Sequence, residues 1–344
     1  MQTFGINGFG RIGRTAFRVW WMFHRDRLDL KVVNTSGSMP VKDWVHLLKY
    51  DSNYGIMSEE ITYTETQKPK EATEENPVIG TISIGGRTIT VTAQRDPSKI
   101  PWGAHGVHTV IESTGVFTTS EKAGMHLQAG AERVIISAPA KGDVVTNVIG
   151  IGEPASAQQI ISNASCTTNC ITPVVSVMHH VFGVAKAMLT TVHSYTDDQN
   201  LHDNSHRDMR RARAAATNLV PTSTGAAIAT TEVIPDLKGV FDGLSIRVPT
   251  PVGSISDMVF VLKRKTSVEE VNQALIDAAN HPHWKGILAV SDEALVSSDI
   301  VGRRESSIVD LELTQVLDGD MVKVVAWYDN EFGYCNRLIE QIGR

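Results

Sequence analysis

A short apolar strand over residues 3–7 runs directly into Gly8-Phe9-Gly10-Arg11-Ile12-Gly13. A helical apolar pattern follows through Trp21, and then a second strand, Leu30 to Asn34. Strand, GxGxxG, helix, strand is the order of a dinucleotide-binding unit. The chemistry explains the glycines: they admit a pyrophosphate close to the backbone, and the helix N-terminus offers N–H groups and positive potential. Gly8, Gly10, Arg11, Ile12 and Gly13 are therefore candidate cofactor contacts. The competing reading is a tight glycine turn in another α/β fold.

The pattern continues with strands and helices in alternation, which predicts a mostly parallel sheet. Thr81 to Ile84, a Gly85-Gly86 turn and Thr88 to Val91 read as a hairpin. Thr109 to Glu112 and Val134 to Ile136 read as buried strands, with a helix over Glu121 to Gly130 between them. In such sheets ligands sit beyond the carboxyl ends of the strands, which is where Asn34, Ser113, Thr114, Gly115 and Ser137 fall. After residue 166 the strands lengthen and alternate apolar with polar, as in Ala187 to Ser194, Gly243 to Val248, Ser256 to Arg264 and Met321 to Tyr328. That alternation predicts a largely antiparallel sheet with one covered face. The 344 residues call for two domains. The expected fold class is α/β: a Rossmann-type dinucleotide-binding domain over 1–165, completed by a C-terminal helix over 331–344, and an α+β catalytic domain over 166–330 with a mostly antiparallel sheet. Residues 65–76 read as a solvated polar loop without chemistry. The polar stretch between Ser194 and Asn218 is long enough to suggest a functional or interfacial loop.

A net charge of −6 argues against a nucleic-acid or membrane-surface partner. No apolar run approaches the ~20 residues a membrane span needs. The chain enters a strand at once, without the pattern of a signal peptide. Three cysteines do not make a disulfide framework, so a cytoplasmic location is expected.

The chemistry centres on Ser162-Asn163-Ala164-Ser165-Cys166-Thr167-Thr168-Asn169-Cys170, which leads into a helical pattern. A thiol at a helix start is favoured as thiolate by the free N–H groups there. The alternative is a small buried residue beside an N-cap. His193 closes the strand-like run Thr190-Thr191-Val192-His193, and a Cys–His pair is a route to a reactive thiol. Arg247 lies between Ile246 and Val248, where a guanidinium needs an anion or carboxylate. Thr222-Ser223-Thr224-Gly225 makes phosphate recognition plausible. Cys166 and Cys170 alone are too few ligands for a structural metal site, so no metal is expected.

These stretches closely resemble those of the phosphorylating glyceraldehyde-3-phosphate dehydrogenases, across essentially the whole chain. The motifs are INGFGRIGR at 6–14, LLKYDS at 47–52, ESTGVFTT at 112–119, SNASCTTNC at 162–170, TTVHSYT at 190–196, RRARAA at 210–215, PTSTGAA at 221–227, RVPTP at 247–251 and WYDNEFGY at 327–334. The resemblance implies that Cys166 attacks glyceraldehyde 3-phosphate, with His193 as base and an imidazolium beside the thiolate. It implies Thr196 and Arg247 at the substrate phosphate. Ser165, Thr167, Thr224 and Gly225 belong at the attacking inorganic phosphate, with Arg211 near both. Asn330 would hold the nicotinamide carboxamide, and the polar loop would pack on a neighbouring subunit of a homotetramer.

One departure concerns the cofactor. Where NAD-using enzymes of this type carry an acidic residue after the strand-ending asparagine, this chain has Thr35-Ser36-Gly37-Ser38 after Asn34. No carboxylate repels a 2′-phosphate, and three hydroxyls could donate to one, with Arg95 as a source of charge. Residues 202–208, including Ser205, resemble the NADP-using photosynthetic members, which have serine where NAD-only enzymes have proline. NADP is thus the expected cofactor, with NAD also possible. Erythrose-4-phosphate dehydrogenases share the nucleophile and base, but TTVHSYT and PTSTGAA favour the three-carbon substrate. A catalytically silent scaffold of the same fold is the alternative from another class.

Overall fold

The computed structural model describes residues 1–152 and 157–344. The chain divides into two compact units: one gathers Met1–Asn147, the segment ending at Asn163 and Cys335–Arg344; the other gathers the segment beginning at Val148 and Ala164–Tyr334.

The first unit opens with β1 (Gln2–Asn7), α1 (Arg11–Val19), which runs on into a π turn, β2 (Leu28–Thr35) and α2 (Val41–Lys49). A small ribbon, β3 (Tyr50–Asp51) with β4 (Gly55–Ile56), precedes β5 (Ile61–Glu65), β6 (Val78–Ile84) and β7 (Arg87–Ala93). The unit continues through β8 (Thr109–Glu112), α3 (Ser120–Gln128), β9 (Arg133–Ile136), β10 (Val145–Thr146) and β11 (Ile160–Ser162). Nine of these strands form one sheet in the order β10-β11-β9-β8-β1-β2-β7-β6-β5. The pairs from β10 to β7 are parallel, and only β7-β6 and β6-β5 are antiparallel. The expected hairpin is β6-β7, with Ile84 opposite Arg87 across the glycine turn. Parallel strands covered on both faces read as continuous apolar runs, and β8 and β9 are buried along their whole length.

Glycine is required at the junction of β1 and α1. Gly8 has φ +94°, and a Cβ on Gly13 would stand 2.1 Å from the Gly8 carbonyl oxygen. The helix therefore approaches the strand turn more closely than any side chain allows. A Cβ on Gly10 would meet nothing within 4 Å, so that position faces open space.

In the second unit, α4 (Cys166–Phe182) is followed by β12 (Val184–Ser194), β13 (Val220–Ser223), α5 (Ala226–Val233), β14 (Phe241–Val248), β15 (Ser254–Leu262) and α6 (Val268–Asn280). Then come β16 (Leu288–Ser291), β17 (Ser307–Leu317), β18 (Met321–Tyr328) and α7 (Phe332–Glu340), whose last residues belong to the first unit. The seven strands are ordered β13-β14-β12-β15-β18-β17-β16. Four pairs are antiparallel; β12-β14 and β16-β17 are parallel. The core lies between one face of this sheet and α4, α5 and α6: Ile171, Val174, Val175 and Met178 pack with Leu189, Phe260, Leu275 and Val324. On the other face Met188 and Leu244 are exposed. The α/β class and the mostly antiparallel second sheet agree with the sequence reading.

Gly13→Ala is expected to lower stability by about 1–3 kcal/mol or more, because backbone must move to accept the methyl group. Gly10→Ala should cost less than about 1 kcal/mol, the loss of a glycine N-cap. Urea midpoints of the two variants check this, and equal losses would contradict the close approach.

Candidate active site

In the first unit the cradle is built from backbone. Gly8 N donates to Asn34 O at 3.0 Å and Ser113 N donates to Asn7 O at 2.8 Å, which ties the turn to its two neighbouring strands. Gly10 caps α1 without a side-chain hydrogen bond, and the first turn carries no acidic residue. The N–H groups around Arg11 and Ile12 thus present positive potential toward the open side at Gly10. The Arg11 guanidinium is paired with Asp51 at 2.5 Å. These residues fit a dinucleotide pyrophosphate, which backbone N–H groups would hold.

Several side chains expected at the cofactor are committed within the protein. Asn34 Nδ2 donates to Asn7 Oδ1 and Gln94 O, while its Oδ1 accepts from Thr92 Oγ1 and Gln94 N. Asn34 therefore knots β1, β2 and β7 together. Thr35 is buried and its hydroxyl donates to Thr92 O at 3.0 Å. This corrects the expectation of three free hydroxyls: only Ser36 and Ser38 are at the surface. Ser113 Oγ bonds Gly8 O at 2.8 Å, and Thr114 bonds Glu112 through both N and Oγ1, so these residues shape the loop before Gly115. Glu112 is held by Asn7 and by His126, which accepts from Trp102 Nε1. Ser137 follows β9, its N–H donating to Glu112 O. Arg95, distant in sequence, lines one pocket with Ser36.

In the second unit, Ala164 takes φ +55° and turns the chain into α4; Tyr334 Oη donates to its carbonyl at 3.0 Å. Ser165 is the N-cap, its Oγ accepting from Thr168 N at 3.1 Å. Cys166 Sγ lies 3.3 Å from His193 Nε2. His193 Nδ1 lies 2.6 Å from Ser194 O, and a carbonyl can only accept, so Nδ1 carries the proton. Nε2 therefore presents its lone pair to the thiol. Burial pushes the Cys166 thiol up, opposed in part by the Arg247 charge and by hydrogen bonds from Thr167. Burial, with the charges of Arg247 and Arg211, pushes the imidazole down to about 3. Burial thus opposes the ionised form of both groups, while the α4 N-terminus and the Arg247 charge favour the thiolate.

Arg247 is the cross-strand partner of His193 in the parallel β12-β14 pair, so both side chains share one face. Its Nη1 donates to Thr196 Oγ1 at 2.8 Å, while its buried Nε has no partner among the described residues. The guanidinium has no carboxylate in contact and is suited to an anion. Arg211 is already engaged: it pairs with Asp198, and its Nε donates to Thr222 Oγ1 at 2.9 Å. Thr167 points its hydroxyl at Tyr328 Oη, 2.9 Å away, in a buried chain that continues to Thr191. Of Thr167, then, only the backbone is left to face an anion. Thr224 Oγ1 accepts from Ala226 N at 3.2 Å, and Gly225 begins α5 without a side-chain cap. Thr172 and Thr230 hydroxyls, 3.0 Å apart, tie α5 to α4.

Asn330 is buried with its Oδ1 accepting from Gly253 N and Ser254 Oγ, which leaves its amide N–H groups to offer. Ser205 is exposed in a loop organised by Asp203, which bonds Arg213 and Ala214 N. Cys170 is fully buried and its thiol is pushed up to about 12 by burial. Among the described residues no cluster of three metal-ligating side chains occurs, and no helix is long and apolar enough to cross a membrane. Tyr328 and Asp198 were not singled out from sequence, although Tyr328 lies inside the WYDNEFGY motif.

A glycine cradle for a dinucleotide and a thiol paired with a histidine base, in one chain, define a thiol-dependent oxidoreductase. Residues 2–120 match the family model described as the NAD binding domain of glyceraldehyde 3-phosphate dehydrogenase, and residues 165–330 match its C-terminal domain. The chloroplastic glyceraldehyde-3-phosphate dehydrogenase A of Zea mays is 49% identical over 97% of this chain and 80% of its own length. Glyceraldehyde-3-phosphate dehydrogenases of Streptomyces coelicolor and Geobacillus stearothermophilus are 46% and 47% identical, each over 98% of this chain and 96% of their own. The chain belongs to the glyceraldehyde-3-phosphate dehydrogenase family, oxidoreductases that use a nicotinamide dinucleotide.

The imidazole sets an acid limit on stability. It titrates near 3 when folded and near 6.5 when unfolded, so between these values the unfolded chain takes up a proton that the native state refuses. Stability should fall as pH drops through this window, by on the order of 1–2 kcal/mol from pH 7 to pH 5. His193→Gln should lose less over the same interval, read from urea midpoints at the two pH values. Equal losses in wild type and variant would refute a buried neutral His193.

Proposed function

We propose that the chain catalyses the reversible oxidation of glyceraldehyde 3-phosphate with inorganic phosphate to 1,3-bisphosphoglycerate, with NADP favoured over NAD. The observation that carries the chemistry is Cys166 Sγ at 3.3 Å from a His193 nitrogen whose tautomer is set by Ser194 O. The thiol adds to the aldehyde carbon as its proton passes to Nε2. The N–H groups at the start of α4 face the developing oxyanion. His193 returns that proton to the oxyanion, which gives the thiohemiacetal and frees Nε2, and takes the hydroxyl proton back as hydride leaves the carbon. The dinucleotide, when bound, supplies the hydride acceptor. Phosphate displaces Cys166 from the resulting thioester, and the acyl phosphate leaves.

Arg247 and Thr196 suit the substrate phosphate, since the guanidinium already holds that hydroxyl and keeps Nε unfilled. Ser165, Thr224, Gly225 and the Thr167 backbone suit the attacking phosphate at two helix N-termini. Arg211 would join either site only by leaving Asp198. The homotetramer reading is supported by the exposed Met188 and Leu244 on one sheet face, and Ser205 would then meet the cofactor of a neighbouring subunit. NADP use favours the reductive direction. It is supported by the absence of a carboxylate at residues 35–38 and by the pocket that joins Ser36 to Arg95.

The ratio of kcat/KM for NADP and NAD tests the cofactor assignment. An NAD preference above about tenfold, roughly 1.4 kcal/mol, would overturn it. Cys166→Ser should abolish turnover with either cofactor. Ser36→Asp should depress NADP use selectively by placing a carboxylate in the pocket, whereas Thr35→Asp should also destabilise the fold, because Thr35 is buried.

A further inference from the structure

We infer that Lys70, carried by the polar segment between β5 and β6, is a cofactor-selecting residue that grips the 2′-phosphate together with Arg95. The inference rests on the NADP reading above and adds to it a residue that neither the motifs nor the glycine cradle contain.

The segment is exposed along most of its length, as a solvated loop should be, and is held in place by hydrogen bonds. It is pinned to β6 by Thr66, whose N donates to Ile79 O at 3.0 Å, and by Gln67 Nε2, which reaches Val78 O at 2.7 Å. It is pinned to β7 by Ala93 N, which donates to Pro77 O at 2.9 Å. Within it, Pro69–Glu71 form a 3-10 turn closed by Lys68 N on the Glu71 carboxylate. Lys70 occupies the middle of that turn. The turn lies against the strand ends: a Cβ placed on Gly37 would be 3.7 Å from Pro69 O and 3.4 Å from the Ala93 methyl.

β2 and β7 are parallel, with Thr35 opposite Ala93, so Ser36 and Arg95 emerge at the same edge of the sheet. Lys70 reaches this edge from outside. Ser36, Lys70, Gln94 and Arg95 line one cavity of about 410 Å³. Neither Lys70 nor Arg95 forms an ion pair among the described residues. Glu74, the carboxylate in the same lining, is drawn toward Lys99 at 3.5 Å. Two cations sharing one cavity repel each other until an anion enters. A phosphate monoester carries a charge of about −1.5 to −2 near neutral pH and matches the pair. The cavity stands at the carboxyl end of β2, where the adenosine ribose of a dinucleotide lies in this fold.

The test uses the full-length protein, with adenosine 2′,5′-bisphosphate and 5′-AMP as probes, titrated calorimetrically at low and moderate salt. Wild type should bind the bisphosphate more tightly, with the difference shrinking as salt rises. Lys70→Met should weaken the bisphosphate about fivefold to tenfold and leave 5′-AMP unchanged, since one charge-assisted contact is lost. Lys70→Arg should retain most of the preference, and 5′-AMP binding shows that each variant is folded. A preference that Lys70→Met leaves within about twofold while Arg95→Met abolishes it would overturn the role of Lys70 and spare the NADP reading. Equal binding of the two probes by wild type would overturn both.

Discussion

The hydrogen bond from His193 Nδ1 to Ser194 O decides what the thiol site can do. A neutral imidazole has one donor and one acceptor, and a carbonyl at 2.6 Å assigns the donor. The remaining nitrogen then faces Cys166 as a base. Ser194 is itself held by three residues: its N donates to Ser254 Oγ, and its Oγ contacts Thr250 Oγ1 and Gly253 O. The Ser194 carbonyl also receives Arg247 Nη1 at 3.4 Å. Base and anion-binding cation are thus referenced to the same peptide group. Tyr328 supports the pair from beneath, edge-on to the imidazole and bonded to Thr167 and Thr191.

Polar order in the first unit follows a similar logic by different means. Asn34 spends all four of its hydrogen-bonding positions on β1 and β7, and Glu112 spends its carboxylate on Asn7, Thr114 and His126. Buried polar side chains that are fully satisfied rigidify the strand ends around them. Recognition is then left to backbone N–H groups and to side chains just past the strands.

The glycine cradle and the Cys–His pair were legible from sequence because their constraints are local or carried by dense motifs. A helix that touches a strand turn needs glycine whatever surrounds it, and Gly13 shows this at 2.1 Å. Where the hydroxyls point was not legible. Thr35 turns toward Thr92, which only the pairing of β2 with β7 makes a neighbour. Tyr328 meets partners 161 and 137 residues away, separations over which no periodicity reports. That Lys70 and Arg95 line one cavity was not legible either, because they stand on separate segments that only the fold brings together.

The parallel pairing of β12 and β14 inside a mainly antiparallel sheet aligns His193 with Arg247, and it depends on a residue remote from both. Gly243 lies opposite Leu189, and a Cβ there would stand 2.5 Å from the Leu189 carbonyl oxygen. Even a methyl group would push the two strands apart four positions before the base and the arginine. Gly243 therefore works as an alignment pin: drift at this site would shift the Arg247 guanidinium relative to His193 while leaving both side chains intact.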